Sequence, residues 1–395
     1  MPLDLQQSIS SSTHHFASST AGIVRPSLRP QRPFPEQETP QPQAAASMNG
    51  GVEKPASSST VFSPKEGALG RRRSSYSEML ADEEADMVTY RTNWEHVWGP
   101  TCGSFQDYTF VTPTLYTYGR IPIDAMPRSF LEIFSIQVME NEEWRIRWPL
   151  EVYGFIPLET MWITTATFSS AVRGTTPKSS PTRYFLLLNS LVDPFLQLTG
   201  PCRPIVLSDP IDFEIQLKVK GTTESEDETL MDRWFQNGHC EGPYDELACR
   251  CWRGNFCTLE ATSALIGSTV AATVICADII EGSWPDDFRG RVVCRIAPLD
   301  KELVLLDSGE GSLQVDPDGR IILQRGVVSV QCEGMLTVSV EAYSKTGVRH
   351  ADCVEFRPRV SLTSKGTCNL GFCRVKFIVG WSYICNKDDL MYSGN

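Results

Sequence analysis

Long apolar runs are missing from this 395-residue sequence. No stretch reaches the roughly 18 consecutive apolar residues that a membrane-spanning helix needs, so no such helix is expected. The N-terminus has no basic residue followed by an apolar core, which speaks against a secretory signal. Histidine is scarce, at five residues, and beyond the first fifth of the chain only His96, His239 and His350 are available as general bases near neutral pH. There is no Gly-x-Ser-x-Gly elbow, no complete P-loop and no full dinucleotide glycine fingerprint, and Gly309-Glu310-Gly311 reads as a turn. Positive charge is in deficit too. The 36 Lys and Arg against 48 Asp and Glu give a formal net charge of −12, a surface that repels phosphate backbones and makes a nucleic-acid partner unexpected.

The thirteen cysteines are scattered, without the dense framework of a small secreted fold, and several lie inside apolar strand patterns. A reducing compartment, cytoplasm or nucleus, is the expectation. The Ser-rich start with Arg25, Arg29 and Arg32 has some of the composition of an organelle transit segment, while Asp4, Glu36 and Glu38 oppose that reading.

What the sequence has in quantity is two-residue periodicity. Ile211, Phe213, Ile215, Leu217 and Val219 alternate with Asp212, Glu214, Gln216, Lys218 and Lys220, the pattern of a strand with one buried face. Around it, residues 1–75 are Ser, Pro and Gln rich and read as a disordered tail. Residues 76–98 read as an amphipathic helix with Glu78, Asp82, Glu83 and Glu84 near its N-terminal end and Trp94 and Trp98 on one face. Residues 99–385 read as successive short strands, and residues 386–395 as a C-terminal tail. Strands are expected at Leu259–Leu265, Val270–Ile280, Val292–Ile296 and Leu303–Leu306. Asp316-Pro317-Asp318-Gly319 is expected to turn one hairpin and Glu333-Gly334 another, the latter joining Val328/Val330 to Leu336/Val338/Val340. Residues 164–182 read as a surface loop and 229–257 as the least regular part. The fold class is therefore all-β: an antiparallel sandwich, one large or two packed, with one N-terminal helix and a disordered tail.

Several residues invite chemistry. His239, Cys240, Cys249, Cys251 and Cys257 supply soft metal ligands within a short segment, although Cys249-x-Cys251 is tighter than the usual zinc spacing. Asp286-Asp287 and Asp316-Pro317-Asp318 are acidic loops of the kind that gather around calcium, and equally ordinary turn chemistry. Ser74 and Ser75 follow Arg71-Arg72-Arg73 at the spacing basic-directed kinases favour.

The segments LEIFSIQV (131–138), WPLEVYGF (148–155), DPFLQLTGPCRPIVLSDPIDFEIQLKVKGTTESED (193–227), GSWPDDFRGRV (282–292), LVLLDS (303–308), RGVVSVQCEGMLTVSVEAY (325–343) and LGFCRVKFIVGWSYI (370–384) resemble the plant domain-of-unknown-function family DUF6598. The resemblance implies a β-rich fold and no established activity. It also implies an Arg-Asp pair and further polar residues between Gly154 and Phe195, which residues 155–192 of this chain largely lack. Some members of that family look related to ribosome-inactivating proteins, whose N-glycosidase chemistry on ribosomal RNA uses a Glu and an Arg three residues later on one helix. Glu260-Ala261 and Glu341-Ala342 begin with the right pair but are followed at that spacing by Ser263 and Ser344. No catalytic residue and no cofactor are assigned. The expectation is a non-catalytic binding module with a protein partner, and ribosomal RNA N-glycosidase is the alternative from the family association.

Overall fold

One strand belongs to both halves of the molecule. The computed structural model describes residues 61–65, 75–102, 104–105, 121, 125–142, 144–160, 182–190, 194–201, 203–207, 211–237 and 242–384. In chain order the elements are β1 (Phe62–Pro64), α1 (Tyr76–Cys102), β2 (Arg128–Glu140), β3 (Trp144–Ile146), β4 (Val152–Thr160), β5 (Thr182–Ser190), β6 (Phe195–Thr199), β7 (Ile205–Val206), β8 (Ile211–Val219) and β9 (Glu228–Asn237). They continue with β10 (Leu247–Arg253), β11 (Cys257–Gly282), β12 (Phe288–Ile296), β13 (Leu299–Asp307), β14 (Val327–Gln331), β15 (Leu336–Ser344), β16 (Arg349–Phe356), β17 (Thr363–Asn369) and β18 (Cys373–Ser382). The described residues are mostly antiparallel β with one α-helix, as the alternation predicts.

The 26 residues of β11 join what the sequence presents as two strands. Its first part pairs with β10 and β2, its second part with β14 and β18. The pairing with β2 slips between Ile266 and Thr269, around Gly267 and a left-handed Ser268 (φ 49°). The break in the sequence pattern is therefore a change of partner rather than a strand end. Pairing extends through β17-β18-β11-β2-β6-β5-β4-β8-β9, and β13-β12-β15-β16 forms a separate sheet.

Two apolar cores result. In the first lobe the long sheet folds over on itself, so that Phe213 of β8 meets Trp252 of β10 with ring centroids 4.9 Å apart. All five apolar residues of β8 are fully buried there, each contributing roughly 1.5–3 kcal/mol. In the second lobe the β14, β11, β18 and β17 strands face the four-stranded sheet across Val292, Leu303, Val338, Val375, Phe377 and Trp381. Between the lobes β2 is buried on both faces from Phe130 to Phe134, which is why its sequence reads as a near-continuous apolar run. The exception inside that run, Glu132, is buried and paired with Arg325, while its other oxygen accepts the Ser329 N–H (2.8 Å) and Arg325 donates to the Ile133 carbonyl (2.6 Å).

The helix stripe Tyr76, Met79, Leu80, Met87, Tyr90 and Trp94 faces the first lobe, where Tyr90 stacks on Trp234 of β9 at 4.6 Å. Ser75 caps it: its Oγ accepts the Glu78 N–H (3.3 Å) and the Glu78 carboxylate accepts the Ser75 N–H (2.8 Å), a reciprocal capping box. The helix runs to Cys102, through Pro100, rather than stopping at 98.

Three expectations need correction. Val328/Val330 and Leu336/Val338/Val340 are not a hairpin, because β14 pairs with β11 and β15 with β12. Both runs face one core from opposite sheets, so each alternates without indicating its partner. Residues 229–257 hold two regular strands, β9 and β10; a register slip of β9 opposite Leu217/Lys218 buries Leu230 and Met231 in succession and hides the alternation. Within the stretch read as a tail, Phe62–Pro64 pairs with β3 and Phe62 is buried among Tyr76, Trp144 and Phe256. The segments 1–60, 66–74, 161–181 and 385–395, on which the remaining tail and loop expectations fall, lie outside the described residues.

Candidate functional site

At one end of the second lobe, two loops that the sequence presents separately come together. Residues Gly282–Asp287 leave the end of β11, and Asp316–Gly319 turn back beside it. The Asp316 carboxylate accepts the backbone N–H groups of Asp318 (2.9 Å) and Arg320 (2.8 Å), and Gly319 takes φ +81°. Val315 and Ile321 bridge across this turn as predicted. The turn is fixed to β11 by the Ile279 N–H donating to the Gly319 carbonyl (2.8 Å) and the Ile321 N–H to the Ala277 carbonyl (2.8 Å). Arg320 and Lys376 flank Asp278 at 3.5 and 3.2 Å. Burial pulls the Asp278 carboxyl upward, but hydrogen bonds from Cys276 and Lys376 and the two cations hold it below its ordinary value.

Between the loops is a cavity of about 370 Å³, within the size range of small-ligand sites. Trp284, Pro285 and Asp286 form one wall, Ser312, Leu313 and Val315 another. Trp284 is held by its indole N–H donating to the Phe288 carbonyl (3.0 Å) and by edge contact with Phe372, centroids 5.7 Å apart. Phe288 and His350 pack on the same Phe372. Two glycines are required for this wall. A Cβ at Gly282, where φ is +75°, would stand 2.1 Å from the Phe372 carbonyl oxygen, and one at Gly290 would stand 2.7 Å from Leu313 and 2.9 Å from Trp284. The segments GSWPDDFRGRV and LGFCRV thus meet as one construction.

The other sequence-predicted residues are dispersed. His239 and Cys240 lie outside the described residues, as does Ser74. Cys249 and Cys251 are exposed on β10, whereas Cys257 is buried on the opposite face of the sheet with its Sγ 3.6 Å from the Leu230 carbonyl oxygen. Burial pushes the Cys257 thiol far above its ordinary value. Among the described residues no three His, Cys, Asp or Glu side chains are placed to hold a metal ion. Asp286 lines the cavity, but the Asp316 carboxylate is occupied with its own turn. Ser75 is exposed at the start of α1.

The two Glu-Ala pairs lie on strands. Glu260 of β11 accepts a hydrogen bond from Gln137 (3.0 Å). Glu341 of β15 accepts from Tyr343 (2.5 Å) and Arg349 (2.5 Å), with Arg291 at 3.6 Å. Burial would raise the Glu341 carboxyl, but those hydrogen bonds and the Arg349 and Arg291 charges outweigh it and hold it below the ordinary range. This is an ion-pair network across neighbouring strands, with Ser344 rather than Arg three residues on.

Residues 188–379, which include both loops and the strands that carry them, match the family model described as "Domain of unknown function (DUF6598)". Every wall of the cavity falls inside the matched stretch. No curated protein matches the chain. Among solved structures, the two tandem C2 domains of Extended-Synaptotagmin 2 align with TM-score 0.22 and 7% identity over 71% of this chain and 99% of that one. Human GIVD cytosolic phospholipase A2, in complex with methyl gamma-linolenyl fluorophosphonate, aligns with TM-score 0.21 and 8% identity over 67% of this chain and 33% of that one.

Proposed function

We propose that this protein is a non-catalytic binding module that receives a cationic group of a protein partner in the Trp284 cavity. The observation that carries the reading is the lining itself, which includes Trp284 and Asp286 and no Lys or Arg. An aromatic face and a carboxylate together suit an ammonium or guanidinium group, which the ring quadrupole and the negative charge both attract. The net charge of −12 draws such a partner from a distance. Phosphorylation of Ser75, exposed at the start of α1, or of its sequence neighbour Ser74 by a basic-directed kinase is the point of control in this reading.

The test is titration of the full chain with N-acetyl-lysine methyl ester and with its neutral norleucine counterpart, following the Trp284 indole resonance. The lysine ester is expected to shift that resonance and the norleucine ester to leave it. Asp286→Asn should weaken the response about tenfold or more, the scale of a hydrogen bond to a charged group. Equal response to both esters, or an undiminished response in Asp286→Asn, would overturn the assignment.

A further inference from the structure

We infer that Cys249 and Cys251 form a two-thiolate site for a soft, thiophilic ion of the copper(I) class on the outer face of β10. The two side chains are two residues apart on one strand and both are exposed. They therefore point from the same face of the sheet. The pairing of β10 with β11 runs without a register slip from Leu247 to Arg253, with Cys249 opposite Thr262 and Cys251 opposite Glu260. No bulge turns either thiol away.

The spacing selects the chemistry. Two strand steps set the Cα atoms roughly 6.6–6.8 Å apart, at the far limit of disulfide geometry, and parallel Cβ vectors leave the Cβ atoms well beyond the ~3.8 Å that a disulfide wants. A metal bridge is longer, since two metal–sulfur bonds of about 2.3 Å span up to about 4.6 Å. Rotation of each cysteine about its one side-chain torsion toward the other closes that gap. Structural zinc needs four ligands, and the carboxylate opposite Cys251, Glu260, is already bonded to Gln137. A soft ion content with two thiolates fits what remains. Binding converts two thiols and one monovalent ion into a bis-thiolate complex of charge −1 and releases two protons. Arg253, exposed and two residues further along the same face, offsets that charge.

The other cysteines whose side chains are described do not repeat the arrangement. Cys257, Cys276, Cys294, Cys368 and Cys373 are buried, Cys332 is half-buried beside Tyr383, and Cys353 is exposed but single.

The experiment is anaerobic titration of the full chain with copper(I) in competition with the chromophoric chelator bicinchoninate. One ion per chain is expected to be withheld from the chelator. Cys249→Ser and Cys251→Ser should each release it, and Cys353→Ser should keep it. X-ray absorption should show two sulfur neighbours. Retention of the ion by the double variant Cys249→Ser/Cys251→Ser would sink the proposal. So would a parent chain that leaves all copper with the chelator, loss of the ion in Cys240→Ser, or three sulfur neighbours. Unchanged circular dichroism and thermal unfolding of the serine variants identifies any loss as loss of ligands, because both positions face solvent.

Discussion

The two lobes handle buried carboxylates in opposite ways. In the first lobe Glu83 of α1 is fully buried, and its oxygens accept backbone N–H groups from two separate places, Asp232 of β9 (2.9 Å) and Asn255 of the β10–β11 turn (2.8 Å). In the second lobe Glu341 is surrounded by guanidinium groups. Burial raises the Glu83 carboxyl, and the two backbone hydrogen bonds and the Arg233 charge only partly counter it; Asp232 is raised as well, first by burial. Glu341 is lowered. The contrast shows that the same residue type serves as a mechanical tie where it gathers amides and as a charge anchor where it gathers arginines. At the seam stands Glu132 with Arg325, where burial raises the carboxyl against the pull of the cation.

The seam gives the largest test of this contrast. Arg325→Met leaves Glu132 buried without its cation and should cost about 3–5 kcal/mol in urea unfolding. If the seam unites the lobes, the transition stays single while its midpoint falls. A second transition appearing with the first unchanged would show that the lobes unfold separately.

pH separates the two carboxylates themselves. Glu83 has a folded value above its unfolded one, so its contribution is fully present below the ordinary glutamate value, about 4.3, and is lost as pH rises through the raised value. Glu341 has the reverse sign: its contribution is present above the ordinary value and lost as pH falls through the lowered one. Urea unfolding of Glu83→Gln and Glu341→Gln from neutral to acid pH should therefore show the gap from the parent chain widening for Glu83 and narrowing for Glu341. Both gaps moving the same way would remove the contrast.

The smallest effect is at the helix cap. Ser75→Ala removes the acceptor for the Glu78 N–H and should cost about 1 kcal/mol, lowering the first lobe's hydrogen-exchange protection around α1 and β9 while leaving β15 and β18 unchanged.

Sequence periodicity revealed the strands whose two faces differ. The inward row of β8 is present, although Glu214 on the face read as polar is buried as well, and so are the inward row Val375, Phe377, Val379 and Trp381 and the turn at Asp316–Gly319. It was silent wherever a residue's setting came from a distant element. Glu83 stands in the sequence only as one of four acidic residues near the start of the helix, and the amides of β9 and the β10–β11 turn make its burial tolerable. The cavity was hidden for a similar reason. Asp286 and Asp316 each looked like turn residues, and nothing local says that their loops, about thirty positions apart, close on one space. Gly290 was the available signal: a glycine inside a strand marks a close approach, here of Trp284 and Leu313.

The sharing of β11 between lobes has a practical side. A fragment cut to residues 188–379 would keep most of both sheets of the second lobe, losing only the last three residues of β18, but would lose β2, which covers β11 from Cys257 to Thr269. Its amide and carbonyl groups would then form an open flank inviting strand addition from a neighbouring copy, so that such a fragment should self-associate more readily than the longer chain.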